Sequence, residues 1–260
     1  MPELPEVEVM GRAMRRWTTG RTLRAFEVLD PKVLVRDQGD GSGLGAPVRE
    51  VSRRGKYLAL IAGREAWVLH FRMTGQVVRA LDGRRARARW VLDQGEVAFV
   101  DPRRFGTIAR ILAADLPDFY AAIPLGPEPW PGPRPGAWWA ERYEGARGPL
   151  KPALLLQDRV AGLGNIAGSE ICWRAGLRPD RAVGSLTEAD WDRLAIEATA
   201  FLDQTVAQED GDEIQYVNLG GDNPFQVYQR DGSPCPRCGA ALVRTVQAGR
   251  ATFFCGGCQG

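Results

Sequence analysis

Between residues 3 and 17, Val7, Met10, Met14 and Trp17 fall three or four apart, with Glu8, Arg12 and Arg16 between them. That spacing predicts one helix with a single apolar face. From residue 22 to 110 the period shortens. Apolar runs at 23–29, 48–52, 57–61, 66–71, 90–92, 97–100 and 107–111 alternate with turn residues such as Asp82-Gly83 and Gln94-Gly95. Short strands at this spacing predict a sandwich or flattened barrel. The glycine-rich stretch 38–45 reads as a surface loop or hairpin tip. Six prolines between Ile123 and Gly136, with Pro117 upstream, forbid regular structure and mark a linker. Past it the pattern turns helical at 150–159, 166–175, 187–208 and part of 213–219. The expected chain is therefore α+β and multidomain. It has an N-terminal helix plus β-sandwich at 1–116, a proline-rich linker at 117–149, a helical region at 150–225 and a small hairpin unit at 226–260.

Composition changes this picture little and charge changes it more. With 260 residues, 44% hydrophobic and 25% charged, the chain is long enough for a sizeable core. Its net charge of +2 hides an uneven distribution. Arg79, Arg84, Arg85, Arg87 and Arg89 crowd one segment, Arg103 and Arg104 follow, and acids gather at Glu209, Asp210, Asp212 and Glu213. A local basic face on a near-neutral total suits an anionic partner such as nucleic acid. No apolar run approaches the ~18 residues of a membrane span, and nothing resembles a signal peptide, so a soluble, cytoplasmic, monomeric protein is expected.

The cysteines carry the most specific spacing. Cys235-Pro-Arg-Cys238 and Cys255-Gly-Gly-Cys258 are separated by 16 residues, the pattern of a four-cysteine zinc ribbon. Four thiolates close the coordination shell, so one Zn²⁺ there holds structure and does no catalysis. A dithiol redox pair and an iron–sulfur cluster are the alternatives. The segment between the pairs presents Arg250, a guanidinium able to clamp a phosphate bidentately.

Three further stretches carry chemistry. At Met1-Pro2-Glu3-Leu4-Pro5-Glu6, removal of Met1 leaves Pro2 as a free secondary amine beside Glu3. An α-amino group titrates near pH 8, so it is partly deprotonated at neutrality and attacks electrophilic carbon; a secondary amine then gives a charged iminium. Glu3 is placed to move the protons of such a step. Second, residues 154–173 read as helix, glycine-bearing turn, helix, with Asn165 at the N-cap of the second helix, a ready phosphate site. Third, Lys56 heads a strand, while Met73, Arg103 and Phe105 sit in turns. Apolar side chains held among arginines suit wedging into a base stack from which a nucleotide has been extruded. His70, the single histidine, lies in an apolar run and reads as a hydrogen-bonded core residue.

Together these stretches resemble the formamidopyrimidine-DNA glycosylase/endonuclease VIII family. The matching pieces are PELPEVE at 2–8, GKYL at 55–58, MTG at 73–75, DPRRFG at 101–106, LGPEP at 125–129, GLGNI at 162–166, QVY at 226–228 and the zinc ribbon. Leu4 in the opening motif resembles the formamidopyrimidine branch. The resemblance implies a helix-two-turn-helix domain and a bifunctional glycosylase/abasic-site lyase acting on double-stranded DNA with oxidised or ring-opened purines. It makes Pro2 the Schiff-base nucleophile, Glu3 its acid–base partner, and Glu6 part of the same entry. Lys56, a further catalytic candidate, matches the phosphate-gripping positions together with Lys151, Asn165 and Arg250. Met73, Arg103 and Phe105 match residues that fill the void left by the flipped nucleotide. Oxidised-pyrimidine excision of the endonuclease VIII kind, or a non-catalytic damaged-DNA-binding protein, are the alternative functions. Three departures stand out. Arg87 is the nearest match to a family histidine, Ala167 replaces a common tyrosine, and 212–225 lacks the usual Lys-Pro-Gly-Tyr-Phe, which leaves the preferred lesion open.

Overall fold

The computed structural model describes residues 2–79, 81–208 and 223–260. The expected helix at 213–219 and most of the 212–225 loop lie outside the described residues. The chain divides into two compact units, one built from its start to Pro124 with a return at Val206, the other from Leu125–Thr205 and from Asn223 onward.

The first unit begins with α1 (Leu4–Thr18). Leu4, Val7 and Met14 are fully buried and Met10 nearly so, while Trp17 at the end of the stripe is half-buried. Gly11 lets the helix settle on the sheet, since a Cβ there would stand 2.9 Å from Leu58 Cδ1. Nine strands follow: β1 (Leu23–Val28), β2 (Leu34–Asp37), β3 (Val48–Arg54), β4 (Tyr57–Ala62), β5 (Glu65–His70), β6 (Gln76–Val78), β7 (Ala86–Leu92), β8 (Glu96–Val100) and β9 (Thr107–Leu112). They form a five-stranded sheet, β2-β9-β5-β4-β3, and a four-stranded sheet, β1-β7-β8-β6. The sheets face each other through aromatic side chains. Phe26 of β1 lies 5.6 Å from the Trp67 ring of β5 and 5.2 Å from Trp90 of β7. The expected sandwich is present, with two strands more than the apolar runs announced. The loop 38–45 is fastened from inside, because buried Glu65 accepts the Gly41 and Gly43 N–H groups at 3.0 Å each and pairs with Arg110 at 2.7 Å.

Two short helices flank the proline-rich stretch: α2 (Leu116–Ala121) before it, in the first unit, and α3 (Gly136–Arg142) after it, in the second. Both fall within the predicted linker or at its edge, so the irregular part is shorter than 117–149. Proline at the first turn of α2 and at the N-cap of α3 costs no helical hydrogen bond. The second unit continues with α4 (Leu150–Leu154), α5 (Asn165–Arg174), α6 (Glu188–Gln208) and the hairpin β10 (Leu242–Gln247)–β11 (Arg250–Cys255). The α4 helix ends five residues before the predicted 159. Its following turn is held by Gln157, whose amide donates to Leu155 O and Leu163 O at 2.8 Å and accepts Gly162 N–H at 3.0 Å. Among the described residues no helix is long and apolar enough to cross a membrane.

Candidate active site and nucleic-acid interface

The start of α1 is a carboxylate cluster inside protein. Pro2, Glu3 and Glu6 are all buried. Glu3 stands at the N-cap, and its own N–H donates to Glu6 Oε2 at 2.8 Å while its side chain accepts from the Glu6 backbone. This reciprocal capping box uses Glu where Ser or Thr is usual. Its electrostatic effect is large. Burial, then the neighbouring Glu3 charge, pushes the Glu6 carboxyl up to about 7. The folded chain therefore holds the Glu6 proton more tightly than the unfolded chain, where a glutamate titrates near 4.5. Glu6 costs no stability below pH 4.5, and its ionisation lowers stability as pH rises toward 7, by about 3 kcal/mol in total. Denaturant melts at pH 4.5, 6 and 8 should show Glu6→Gln losing that part of the slope; parallel pH profiles for the two proteins would refute it.

Lys56 lies in the Gly55-Lys56 turn between β3 and β4, half-buried, where Gly55 takes φ +56°. Its charge reaches His70. Burial, reinforced by Arg72 and Lys56, pushes His70 down to about 3, so the imidazole is neutral. His70 Nδ1 accepts the Arg72 N–H at 3.2 Å, and the ring meets Tyr57 edge-on at 4.5 Å. The ring is hydrogen-bonded, as expected, but half-buried and not in the core.

Met73 and the pair Arg103–Phe105 sit on separate loops, 71–75 and 101–106, which share one buried anchor. Asp101 accepts the Thr74 hydroxyl at 2.5 Å, the Arg103 N–H at 3.2 Å and the Gly106 N–H at 2.6 Å. Gly75 makes the first loop tight, because a Cβ there would meet Phe71 O at 2.6 Å. Phe105 is 53% exposed, and the Arg103 guanidinium lies 5.0 Å from its ring centre. An aromatic held out in water on a braced loop is poised to leave water for a base stack.

Arg87, the nearest match to a family histidine and by that match a candidate DNA contact, is a buried residue. It is 3% exposed. Its Nε donates to Asp30 at 2.9 Å, and its Nη1 donates to Gly106 O at 2.7 Å and lies 3.5 Å from Asp101. The register shift between Ala86 and Ala88 breaks the alternation of β7 at Arg87, so Arg87 turns inward while Arg89, two residues on, pairs with Glu27 and Glu96. The basic cluster is thus partly neutralised by its own neighbours.

In the second unit Lys151, Asn165 and Arg250 converge. Lys151, 1% exposed, donates from Nζ to Asn165 Oδ1 at 2.6 Å, Thr252 Oγ1 at 2.8 Å and Ala251 O at 3.1 Å. Asn165 Nδ2 donates to Ala251 O at 2.9 Å. Gly164, not Asn165, is the N-cap of α5, which frees the Asn165 amide for these contacts. Arg250 is exposed at the tip of the β10–β11 hairpin, where Ala248 and Gly249 both take positive φ, 47° and 73°, as a two-residue turn requires. A cleft of about 160 Å³ lies between this tip and α4, lined by Lys151 and Arg250 among others. Lys151 spends its donors on protein acceptors, so Arg250 is the exposed cation of this cleft.

Each of Cys235, Cys238, Cys255 and Cys258 offers a sulfur within 4.8 Å of the others. The Cys235–Cys258 and Cys238–Cys255 sulfurs lie 3.8 and 3.4 Å apart; tetrahedral Zn²⁺ with Zn–S near 2.3 Å asks for about 3.8 Å. Trp173 Nε1 donates to Cys235 Sγ at 3.4 Å, tying the site to α5. The four cysteines bind one structural zinc.

Thr252, Asp101 and Glu170 were not singled out by sequence. Glu170, fully buried, accepts the N–H groups of Gln226, Val227 and Tyr228 at 3.1, 2.8 and 2.9 Å. A glutamate amid small residues in a helix was the available signal.

A helix start with buried Pro2, Glu3 and Glu6, a sandwich with two loops braced on Asp101, and a four-cysteine finger beside Lys151 and Arg250 fit a DNA-base-removing enzyme. Comparison with known proteins agrees over the whole length. Residues 1–108 match the formamidopyrimidine-DNA glycosylase N-terminal domain, 125–216 its H2TH domain, and 232–260 the zinc finger found in FPG and IleRS. The formamidopyrimidine-DNA glycosylase of Thermus thermophilus is 39% identical over 280 residues, covering 100% of this chain and 99% of that one. That of Geobacillus kaustophilus is 35% identical, with 100% of both chains covered. The Lactococcus lactis Fpg solved with abasic-site DNA superposes with TM-score 0.87 at 29% identity, covering 99% of each chain. The Thermus thermophilus MutM (Fpg) structure gives 0.85 at 34%, covering 99% of this chain and 98% of that one. The chain belongs to the formamidopyrimidine-DNA glycosylase family.

Proposed function

We propose that this protein is a bifunctional DNA glycosylase and abasic-site lyase of base-excision repair, acting as a monomer on oxidised or ring-opened purines in duplex DNA in the cytoplasm, at the nucleoid. The observation that carries this reading is the buried start of α1, where Pro2 adjoins two carboxylates, one of them held near neutral pH. The amine of Pro2 attacks C1′ of the damaged nucleotide and gives up its own proton; the C1′–N bond breaks and the base leaves protonated. The C1′–O4′ bond then breaks as Glu3 supplies a proton to O4′, so that the nitrogen lone pair forms the iminium. The resulting iminium acidifies C2′. Loss of that proton breaks the 3′ C–O bond, and a second elimination breaks the 5′ one. Glu6 orients Glu3 through the capping box. Lys56 serves the backbone phosphates of the first unit; Lys151, Asn165 and Arg250 serve those of the second. Met73, Arg103 and Phe105 fill the space left by the extruded nucleotide. Zinc, bound by the four cysteines, holds the hairpin and takes no part in bond breaking. Purine lesions are favoured by the relatives, since Lactococcus lactis Fpg has been solved with a benzylated Fapy-dG duplex.

Borohydride trapping on duplexes bearing 8-oxoguanine, formamidopyrimidine, thymine glycol or an abasic site tests the assignment. Adducts on both purine lesions and the abasic site are expected. Capture on thymine glycol in their place would move the protein to pyrimidine repair, and binding without capture on any duplex would make it a non-catalytic binder. Arg250 has its own test. Arg250→Ala should weaken binding evenly across sequences and lower the slope of log K against log salt by about one unit; an unchanged slope removes Arg250 from the phosphate contacts.

A further inference from the structure

Phe105 leaves the protein from a stretch of backbone that is unfavourable in itself. The residue before it, Arg104, takes φ +58°, in the left-handed region where any side chain but glycine's is strained. Such a conformation persists only where its surroundings impose it. The turn supplies part of the hold, since the Arg104 N–H donates to Asp101 O at 3.1 Å. The rest comes from Asp30, 74 residues earlier in the chain. Its two carboxylate oxygens accept Arg104 Nε and Nη2 at 3.0 and 2.9 Å, a bidentate fork.

Asp30 reaches the other flank of Phe105 as well. It accepts Arg87 Nε at 2.9 Å, and Arg87 Nη1 donates to Gly106 O at 2.7 Å. Phe105 thus stands between two residues that one carboxylate holds, Arg104 directly and Gly106 through Arg87. The carboxylate is itself fixed. The Asp30 N–H donates to Arg87 O at 3.0 Å, and Oδ1 accepts the Lys32 N–H at 3.2 Å. The Arg104 hydrogen bonds, helped by Arg87 and opposed by burial, hold its carboxyl down at about 2, so it stays charged near neutral pH. The Arg104 side chain is 59% exposed, and an ion pair so open to water adds little to global stability. What it fixes is local: the direction in which Phe105 points.

We propose that Asp30 is a positioning residue for base extrusion, clamping Arg104 directly and Gly106 through Arg87 so that Phe105 is held ready to enter the stack. This role rests on Phe105 being the wedge of a DNA glycosylase.

Stopped-flow fluorescence of the full-length, zinc-loaded protein tests it, on a duplex carrying an abasic analogue beside 2-aminopurine, which brightens as its stacking is lost. Asp30→Asn keeps the side chain's shape and removes its charge. Arg104→Gln cuts the same ion pair from its exposed end, where the core is not burdened. Each is measured alone and in a Phe105→Ala background. Alone, each should slow the brightening by about tenfold, within the range seen for a misplaced contact group. Phe105→Ala should slow it at least as much, and neither clamp variant should then add anything. A general structural role would add its loss in both backgrounds. A wild-type rate in either clamp variant, with Phe105→Ala slow, overturns the clamp and leaves the wedge standing. Further slowing of Phe105→Ala by either variant overturns it too, because the pair would then act elsewhere. A wild-type rate in Phe105→Ala removes the wedge, and the clamp with it.

Discussion

Protein whose N-terminus is extended by even one residue beyond Pro2 should give no borohydride-trapped adduct on an abasic duplex. The fall in cleavage should be roughly a thousandfold or more, the scale seen when a nucleophile is removed. The reason is the state of one nitrogen. As a free terminal amine, Pro2 has a lone pair to give to C1′; as an amide, that pair is delocalised into a carbonyl and no iminium forms. The neighbouring machinery stays in place, because Glu3 and Glu6 cap α1 through their own backbone and side-chain atoms. Duplex affinity should therefore survive while capture vanishes. The check is one preparation with the amine verified free by mass spectrometry and one carrying the extension, compared for trapping and binding on the same DNA. Equal trapping would transfer the nucleophile to another residue.

Removal of zinc should weaken duplex binding strongly. Structural zinc sites carry apparent binding energies of about 10–16 kcal/mol, which here maintain the hairpin. That hairpin supplies Ala251 O and Thr252 Oγ1 as acceptors for Lys151, and it mounts Arg250. Without it the ammonium, 1% exposed, loses both of them and keeps its bond to Asn165. Leaving buried donors without acceptors costs about 1–3 kcal/mol, and more for a charged group such as this ammonium. Chelation or Cys238→Ser should weaken binding to an abasic-analogue duplex by about a hundredfold, the equivalent of roughly 3 kcal/mol. Adding Zn²⁺ should restore the chelated wild type. Full affinity in metal-free protein would mean that the hairpin stands without its metal.

Where one local rule decided the structure, the sequence was legible. The α1 stripe, the strands of the five-stranded sheet with apolar runs and the C-x-x-C pairs all declared themselves by spacing. Elements decided by pairing or by position within a motif did not. Strand β2, largely exposed, exists because β9 offers it a parallel partner at the sheet edge. In β7 strict alternation would put Arg87 and Arg89 on one face, and these arginines read as a surface charge run; the register shift between Ala86 and Ala88, with the Asp30 and Asp101 carboxylates to receive the side chain, explains why Arg87 goes inside. Proline density hid α3, whose seven residues contain none and whose start follows Pro135 directly. At the candidate site, motif residues were visible one by one. Their organisers were not, because Asp101, Thr252 and Glu170 act through partners distant in sequence.

One of those organisers has a consequence for how a duplex is searched. Asp101 joins the loop of Met73 to the loop of Arg103 and Phe105 within the folded protein itself. A flexible probe would lose conformational entropy at every base pair it tested, adding to the free energy of each encounter, matched or damaged alike. If Met73, Arg103 and Phe105 enter the stack as proposed, they do so as a braced two-pronged probe that lost that freedom already, at folding. The contrast between sound and damaged DNA then rests on how readily the stack opens, and not on how often the protein happens to be in shape to ask.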